Sequence, residues 1–302
     1  MPSKPVSILI TWDIDPSPRM PMEVKLRSLE VANRLCNEFK IQSTFFVTAN
    51  AEQAGPQSLA PLIAAGHEIG CHGLTHGNEE EYDRMTEEQQ MDYITQATEK
   101  LERLTGKRPV SFRAPRVKIS PVTCRLLAKA GYKADSSICS QRVDFVSSNL
   151  VNTGWIRAPR LPYHPHTQDA FKSGDVPIWE LPVSALVVPF ISASLNILGL
   201  GFMKAFFRLL YAEARRTGKP VVYLAHPTEF TFDRQRTFSW HEFSPGYIRT
   251  HGFLVRNLLY RMDPATWLQQ SRLFFAYMAG FPNVQFLSTG AYTAQVLGEN
   301  PQ

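Results

Sequence analysis

The sequence predicts an α/β protein assembled from parallel strand–helix units. Three observations carry this reading. Short β-rich runs alternate with stretches of helical apolar spacing. The length, 302 residues, is ordinary for one α/β barrel. The composition, 44% hydrophobic with 20% charged residues, excludes disorder, collagen and coiled coil. A chain of this size buries roughly three quarters of its unfolded surface, so its core needs neither disulfide nor metal.

The elements follow in order. Residues 6–11 read as a first strand, and 23–39 repeat apolar residues at helical spacing. Residues 43–47 form a second strand, 61–65 a short helix ended by Gly66, and 68–71 a third strand. Thr86 opens a polar helix through a capping box with Gln89, and that helix runs to Leu104 before Thr105-Gly106 stops it. A strand at 110–113 precedes a helix at 121–130 that Gly131 closes. Residues 134–138, 178–183, 221–224 and 284–287 complete the strands. The whole of 1–302 is read as one domain.

Two segments interrupt the alternation. Residues 181–203 carry no charge and precede a helix with Lys204, Arg208, Arg215 and Arg216. The length would permit a membrane span, but Pro182, Pro189, Asn196, Gly199 and Gly201 favour a buried loop or core helix, with peripheral membrane contact as the sharper alternative. Residues 231–261 hold five arginines, two acids and seven aromatics, which suits a solvated excursion or an anion-binding lid. The formal charge is +5, and no RNA- or DNA-binding motif accompanies it, so nucleic acid is not an expected partner. Cys36, Cys71, Cys124 and Cys139 lie far apart with no CxxC pair, against both a zinc ribbon and a disulfide scaffold. The apolar stretch near the N-terminus is too short for a signal-peptide core, which leads us to expect a cytoplasmic protein, with the inner face of the membrane as the alternative place.

The chemistry concentrates in Asp13-Ile-Asp15, ending the first strand, and His72-Gly-Leu-Thr-His76, after the third. Two histidines four residues apart share a face if the segment is a helical turn, and a carboxylate from another strand end completes a two-nitrogen, one-oxygen set with open positions. Asp13 and Asp15 point to one side of a strand, so one can bind the ion while the other stays beside it as a base.

The string Gly66-His-Glu-Ile-Gly-Cys-His-Gly-Leu-Thr-His76 resembles the second motif of the NodB-type polysaccharide deacetylases, the superfamily that includes carbohydrate esterase family 4. Phe112-Arg-Ala-Pro-Arg116 resembles their third motif and Leu224-Ala-His-Pro227 their fifth. Thr11-Trp-Asp-Ile-Asp15 is similar to the variant first motif, in which one residue separates the aspartates. Gly131-Tyr-Lys-Ala-Asp-Ser-Ser-Ile138 and Ile178-Trp-Glu-Leu-Pro182 are similar to the subgroup found with exopolysaccharide and lipid-linked glycan products.

The resemblance implies a distorted (β/α)7-type barrel with its site at the C-terminal ends of the strands. It implies that Asp15, His72 and His76 ligate a divalent metal, most often Zn2+, with Co2+, Ni2+, Mn2+ or Fe2+ as substitutes. Asp13 would act as base toward metal-bound water, Arg113 would hold Asp13, and His226 would protonate the departing amine. Asp135 falls where the family keeps the acid that orients this histidine, with Glu180 as a competing partner. Trp179 would wall the acyl pocket, with Pro115 and Arg116 beside the substrate. The implied reaction is hydrolysis of an N-acyl group, chiefly acetyl, on an amino sugar of a polysaccharide or lipid-linked precursor. The superfamily also contains deformylases and cyclic-ureide amidases, and an inactive glycan- or membrane-binding scaffold is the alternative outside enzymes. Simpler roles fit several other residues: His67 as a structural support, Cys71 as core, His164 and His166 as a surface loop, Arg157 and Arg160 as solvated.

Overall fold

The computed structural model describes residues 5–18, 20–142, 154–231 and 259–298. Most of the proposed 231–261 lid therefore lies outside the described residues. The strands are β1 (Val6–Ile14), β2 (Thr44–Val47), β3 (Glu68–Cys71), β4 (Ser111–Phe112), β5 (Ala134–Asp135), β6 (Pro165–His166), β7 (Asp169–Ser173), β8 (Trp179–Glu180), β9 (Ala185–Leu186), β10 (Val188–Pro189), β11 (Val221–Ala225) and β12 (Val284–Phe286). The helices, numbered among the described residues, are α1 (Met22–Glu38), α2 (Pro56–Ala64), α3 (Glu87–Thr105), α4 (Pro121–Lys129), α5 (Gly154–Arg157), α6 (Ser192–Thr217), α7 (Pro264–Ala279) and α8 (Thr289–Val296).

Seven strands form one parallel path in the order β11-β1-β2-β3-β4-β5-β8, and β12 pairs with the start of β1. The path curls. Arg113, just past β4, bonds Thr11 and Asp13 of β1 across the two intervening strands, which only a concave interior permits. The gap between β8 and β11 is bridged by Ser184, whose N–H donates to the Val222 carbonyl and whose hydroxyl accepts from the Val222 N–H. The outcome is a distorted (β/α)7-type barrel, as the motifs imply.

Every residue of β1 is buried, as a strand covered on both faces requires. Its outward face places Trp12 in a stack on Phe45 (5.9 Å between ring centroids) with Phe230 and Phe275 against it. The inward face carries Thr11 and Asp13. At the opposite end of the barrel, Glu68 accepts from Thr44, Ser111 and the Gly290 N–H at 2.6–2.9 Å and so ties the start of α8 into the base. A Cβ on Gly290 would sit 2.8 Å from Oε1 of Glu68, so only glycine admits this contact.

Strand extents differ from expectation at β5 and β8, where the regular ladder covers two residues each while isolated bonds such as Val183 N–H to Ile138 O continue beyond it. Helix α2 starts earlier than the apolar spacing suggests, with Pro56 in its first turn, where a missing N–H costs nothing. The capping box of Thr86 and Gln89 is present, and α3 stops at Gly106 in the left-handed conformation. The uncharged 181–203 stretch resolves into the β9–β10 hairpin and the first half of α6. Helix α6 is apolar enough to cross a bilayer by length and composition. One face, however, lies in the core, where Phe207 meets Phe274, Tyr277 and Phe281. All four cysteines are buried and free.

His67 braces α1 against β2: its Nδ1 accepts from the Ser43 N–H at 3.2 Å and its Nε2 faces Asn33 Oδ1 at 3.1 Å. Burial lowers this imidazole from 6.5 to about 4. The fold therefore keeps His67 neutral, and its contribution is complete above the unfolded value and lost as pH falls from 6.5 through about 4. Thermal unfolding across that window should show a fall in melting temperature that is shallower in His67→Gln; an equal pH slope in the two proteins would contradict the assignment.

Candidate metal centre and active site

The centre of the site is a buried ion pair. Arg113 has no exposed surface. Its Nη1 donates to Asp13 Oδ1 at 2.7 Å and to Thr11 Oγ1 at 2.9 Å. Its Nε donates to the Ser136 carbonyl, and Nη2 to the Ser136 hydroxyl, both at 2.8 Å. The face of Phe46 lies 4.4 Å from the guanidinium carbon. Asp13 thus has one oxygen fixed by a charge-assisted bond. Its other oxygen, Oδ2, lies 3.9 Å from His72 Nε2.

The same arginine sets the histidine. Its backbone carbonyl lies 2.7 Å from His72 Nδ1. A carbonyl only accepts, so Nδ1 carries a hydrogen and Nε2 is the atom turned into the site. Nε2 faces Asp15 Oδ1 at 3.3 Å, and His76 Nε2 approaches the same oxygen at 3.6 Å.

The sequence spacing suggests a helical turn between these histidines, and the structure corrects this. The segment is an open loop with Gly73 at φ +77° and His76 at φ +57°. The imidazoles converge because the loop wraps a carboxylate. Glu80, fully buried, accepts from the backbone N–H groups of Leu74, Thr75 and His76 at 2.6–2.7 Å and from the Tyr82 hydroxyl at 2.9 Å. A Cβ on Gly73 would meet Glu80 Oε1 at 2.5 Å and Pro115 Cγ at 2.7 Å, so the wrap requires glycine both for its φ and for its lack of a side chain. Sequence reasoning missed Glu80, because Glu79-Glu80-Glu81 reads as a solvated acidic run.

His226 follows β11 and turns its Nε2 to 3.7 Å from Asp15 Oδ2. Its Nδ1 lies 3.1 Å from Glu229 Oε1, and its backbone N–H faces the second oxygen of the same carboxylate. Burial alone would lower this imidazole; the Glu229 bond and charge, with Asp15 and Asp13, outweigh it and raise it to about 9. The expected orienting acids are therefore replaced. Asp135 accepts from Ser137 at 2.5 Å, and Glu180 accepts from the Ile138 N–H at 3.0 Å. Both sit on the face of the sheet opposite Arg113, because the residues that reach the site alternate with them: Ser136 beside Asp135, Leu181 beside Glu180. Burial raises Asp135 to about 6 and, with the charge of its neighbour, Glu180 further.

Other expected contacts fall elsewhere. Arg116 spends its guanidinium on the loop, donating to the Gly77 and His76 carbonyls at 3.0 and 3.2 Å, so it buttresses His76 where a substrate contact was expected. Pro115 is buried against Gly73. Trp179 lies on His164 with ring centroids 3.9 Å apart, in register with Ala134. His164 and His166 bond the Ile178 carbonyl and the Gln168 N–H. Arg160, expected in solvent, is half-buried on Glu213.

Asp15, His72 and His76 offer three donor atoms within 4.8 Å of one another. Asp15 Oδ1 is buried and has no hydrogen-bond partner, although two ring nitrogens stand within 3.6 Å of it. Nε2 is the atom that His72 turns toward this carboxylate, its Nδ1 being engaged by the Arg113 carbonyl. Two imidazoles with a carboxylate suit Zn2+ and related divalent ions.

Residues 2–134 match the polysaccharide deacetylase family. That match covers less than half of the chain and makes this segment similar to the family. The chain is also 31% identical over 105 residues to the peptidoglycan deacetylase of Helicobacter pylori, covering 35% of each protein. It is 32% identical over 112 residues to the peptidoglycan deacetylase-like protein FGM2 of Gibberella zeae, covering 37% of this chain and 32% of that protein. The matched segment thus spans about a third of either relative. In fold, 99% of the chain is covered by a Mycobacterium smegmatis protein assigned as a polysaccharide deacetylase, with 92% of that protein covered, a TM-score of 0.64 and 20% identity. The Puue allantoinase shares the fold at a TM-score of 0.62 and 16% identity, over 100% of this chain and 94% of that one.

The loop from His72 to His76 depends on Glu80. Removing its side chain orphans the buried Leu74 N–H, at about 1–3 kcal/mol, and two part-buried N–H groups, those of Thr75 and His76. Glu80→Ala should weaken divalent-cation binding by about 10- to 100-fold in titration calorimetry, and wild-type affinity in that variant would show that the loop holds its shape without the carboxylate.

Proposed function

We propose that this protein is a divalent-metal-dependent N-deacetylase that hydrolyses the acetamido group of an amino sugar in a glycan or lipid-linked glycan precursor. One observation supports this most: Asp15 Oδ1 is a buried, unpartnered oxygen facing two imidazole nitrogens, with a second carboxylate, Asp13, and a third imidazole, His226, on either side. The match of residues 2–134 to the polysaccharide deacetylase family supports the same chemistry on a sugar.

Asp15, His72 and His76 would hold the cation, most readily Zn2+. A divalent ion there supplies Lewis acidity, polarising an acyl carbonyl and lowering the pKa of water. The residues do the rest. Asp13, aimed by Arg113, takes the proton from the attacking water through Oδ2. His226, with Nδ1 held by Glu229, presents Nε2 to the leaving nitrogen and delivers its proton as the C–N bond breaks. Base and acid flank Asp15, so the acyl carbon is attacked and the amine released within one cleft.

The test is acetate release from N-acetylglucosamine oligomers by metal-reconstituted protein. Asp13→Asn should lower turnover by about a thousandfold or more while cation stoichiometry stays unchanged, since a positioned base contributes about 10²–10⁴. Retained turnover in that variant would remove Asp13 from the role, and no acetate release by fully loaded wild-type protein would overturn the substrate assignment.

A further inference from the structure

The solvent face of α6 is apolar where a soluble helix is usually charged. Phe202 and Leu209 lie along one stripe at a spacing of seven residues and are exposed, Leu209 to 60%, and Leu198 is exposed just before the break in the helix at Gly199 (φ +82°). The β9–β10 hairpin adds Leu186 and Val187, exposed to 45% and 55%. Val187 sits at φ +65°, a conformation that β-branched residues avoid. Arg160 joins these segments. Its Nε and Nη2 grip Glu213 of α6, and Nη1 donates to the Ala185 carbonyl at the hairpin. Leu161 follows Arg160 and is 48% exposed, Leu186 follows Ala185, and Leu209 stands one turn before Glu213. Three segments therefore converge their leucines around one ion pair.

The charge on this helix has one free sign. Glu213 is the sole acid of α6, and Arg160 and Lys219 both pair with it, Lys219 at 2.9 Å. The exposed charges are Arg208, Arg215 and Arg216. Arg208 leans on Tyr277, its Nε donating to the phenol oxygen at 2.6 Å. An apolar stripe beside arginines complements acyl chains beneath anionic headgroups. We infer that the flank formed by α6 and the β9–β10 hairpin docks on an anionic lipid bilayer, as a peripheral contact. The buried half of α6 belongs to the core and stays there, so the helix lies on the surface and does not span it.

Co-sedimentation with vesicles of equimolar phosphatidylglycerol and phosphatidylcholine tests this, with phosphatidylcholine vesicles as the neutral reference. The wild-type protein should partition onto the anionic vesicles, and high salt should weaken the binding. The double substitution Leu186→Glu with Leu209→Glu, and separately Arg215→Glu with Arg216→Glu, should each reduce partitioning by about tenfold or more. Ile63→Glu, on the exposed part of α2, should leave it unchanged. Thermal melts matching wild type confirm that the surface variants fold. Absence of binding to anionic vesicles, or equal binding by the patch variants, would overturn the inference. So would a dimer in sedimentation velocity that Leu209→Glu dissociates, since the patch would then be covered by a second copy.

Discussion

A guanidinium with no exposed surface must find hydrogen-bond partners and a counter-charge, and in this barrel it finds them on two segments at once. Arg113 reaches β1 through Asp13 and Thr11 and the end of β5 through Ser136, and its own carbonyl fixes the ring of His72. The closure of the strands and the orientation of the site are therefore one event. Removing one partner of such a buried pair leaves the other charge stranded, at about 3–5 kcal/mol. This ties the geometry of the base to the integrity of the barrel wall.

Around that pair, carboxylates do the positioning. Glu80 gathers the loop amides and so brings His76 to Asp15; Glu229 holds His226; Glu68 seats the last helix at the far end. Each is buried or half-buried with its oxygens satisfied by hydrogen bonds, which is the condition for tolerating a charge inside a fold. Asp15 stands apart. Its Oδ1 is the buried oxygen that the protein leaves unpartnered in the site, within reach of two ring nitrogens.

Much of this was legible in the sequence, and the reason is locality. Asp13 and Asp15, His72 and His76, and Arg113 with Pro115 each sit within a few residues of a strand end, so short strings encode their placement. The alternation of strands and helices likewise follows from local periodicity. What the sequence concealed depends on tertiary contact. Glu80 is indistinguishable from Glu79 and Glu81 until the loop folds over it. Glu229, three residues after His226 at a capping-box spacing, offered a weak signal, and Asp135 drew the assignment because its neighbours fit a motif whose acid here faces the other side of the sheet. The His72–His76 spacing imitates a helical turn, yet Gly73 in the left-handed region excludes one.

The central claim is that Asp15, His72 and His76 form a divalent-cation site. X-ray absorption spectroscopy of the zinc-loaded protein tests it most directly. The account predicts a zinc environment of two imidazole nitrogens at about 2.0–2.1 Å with the remaining scatterers oxygen, and loss of that signal in His76→Ala. A sulfur scatterer, a single imidazole, or stoichiometric loading that persists in His76→Ala would contradict it.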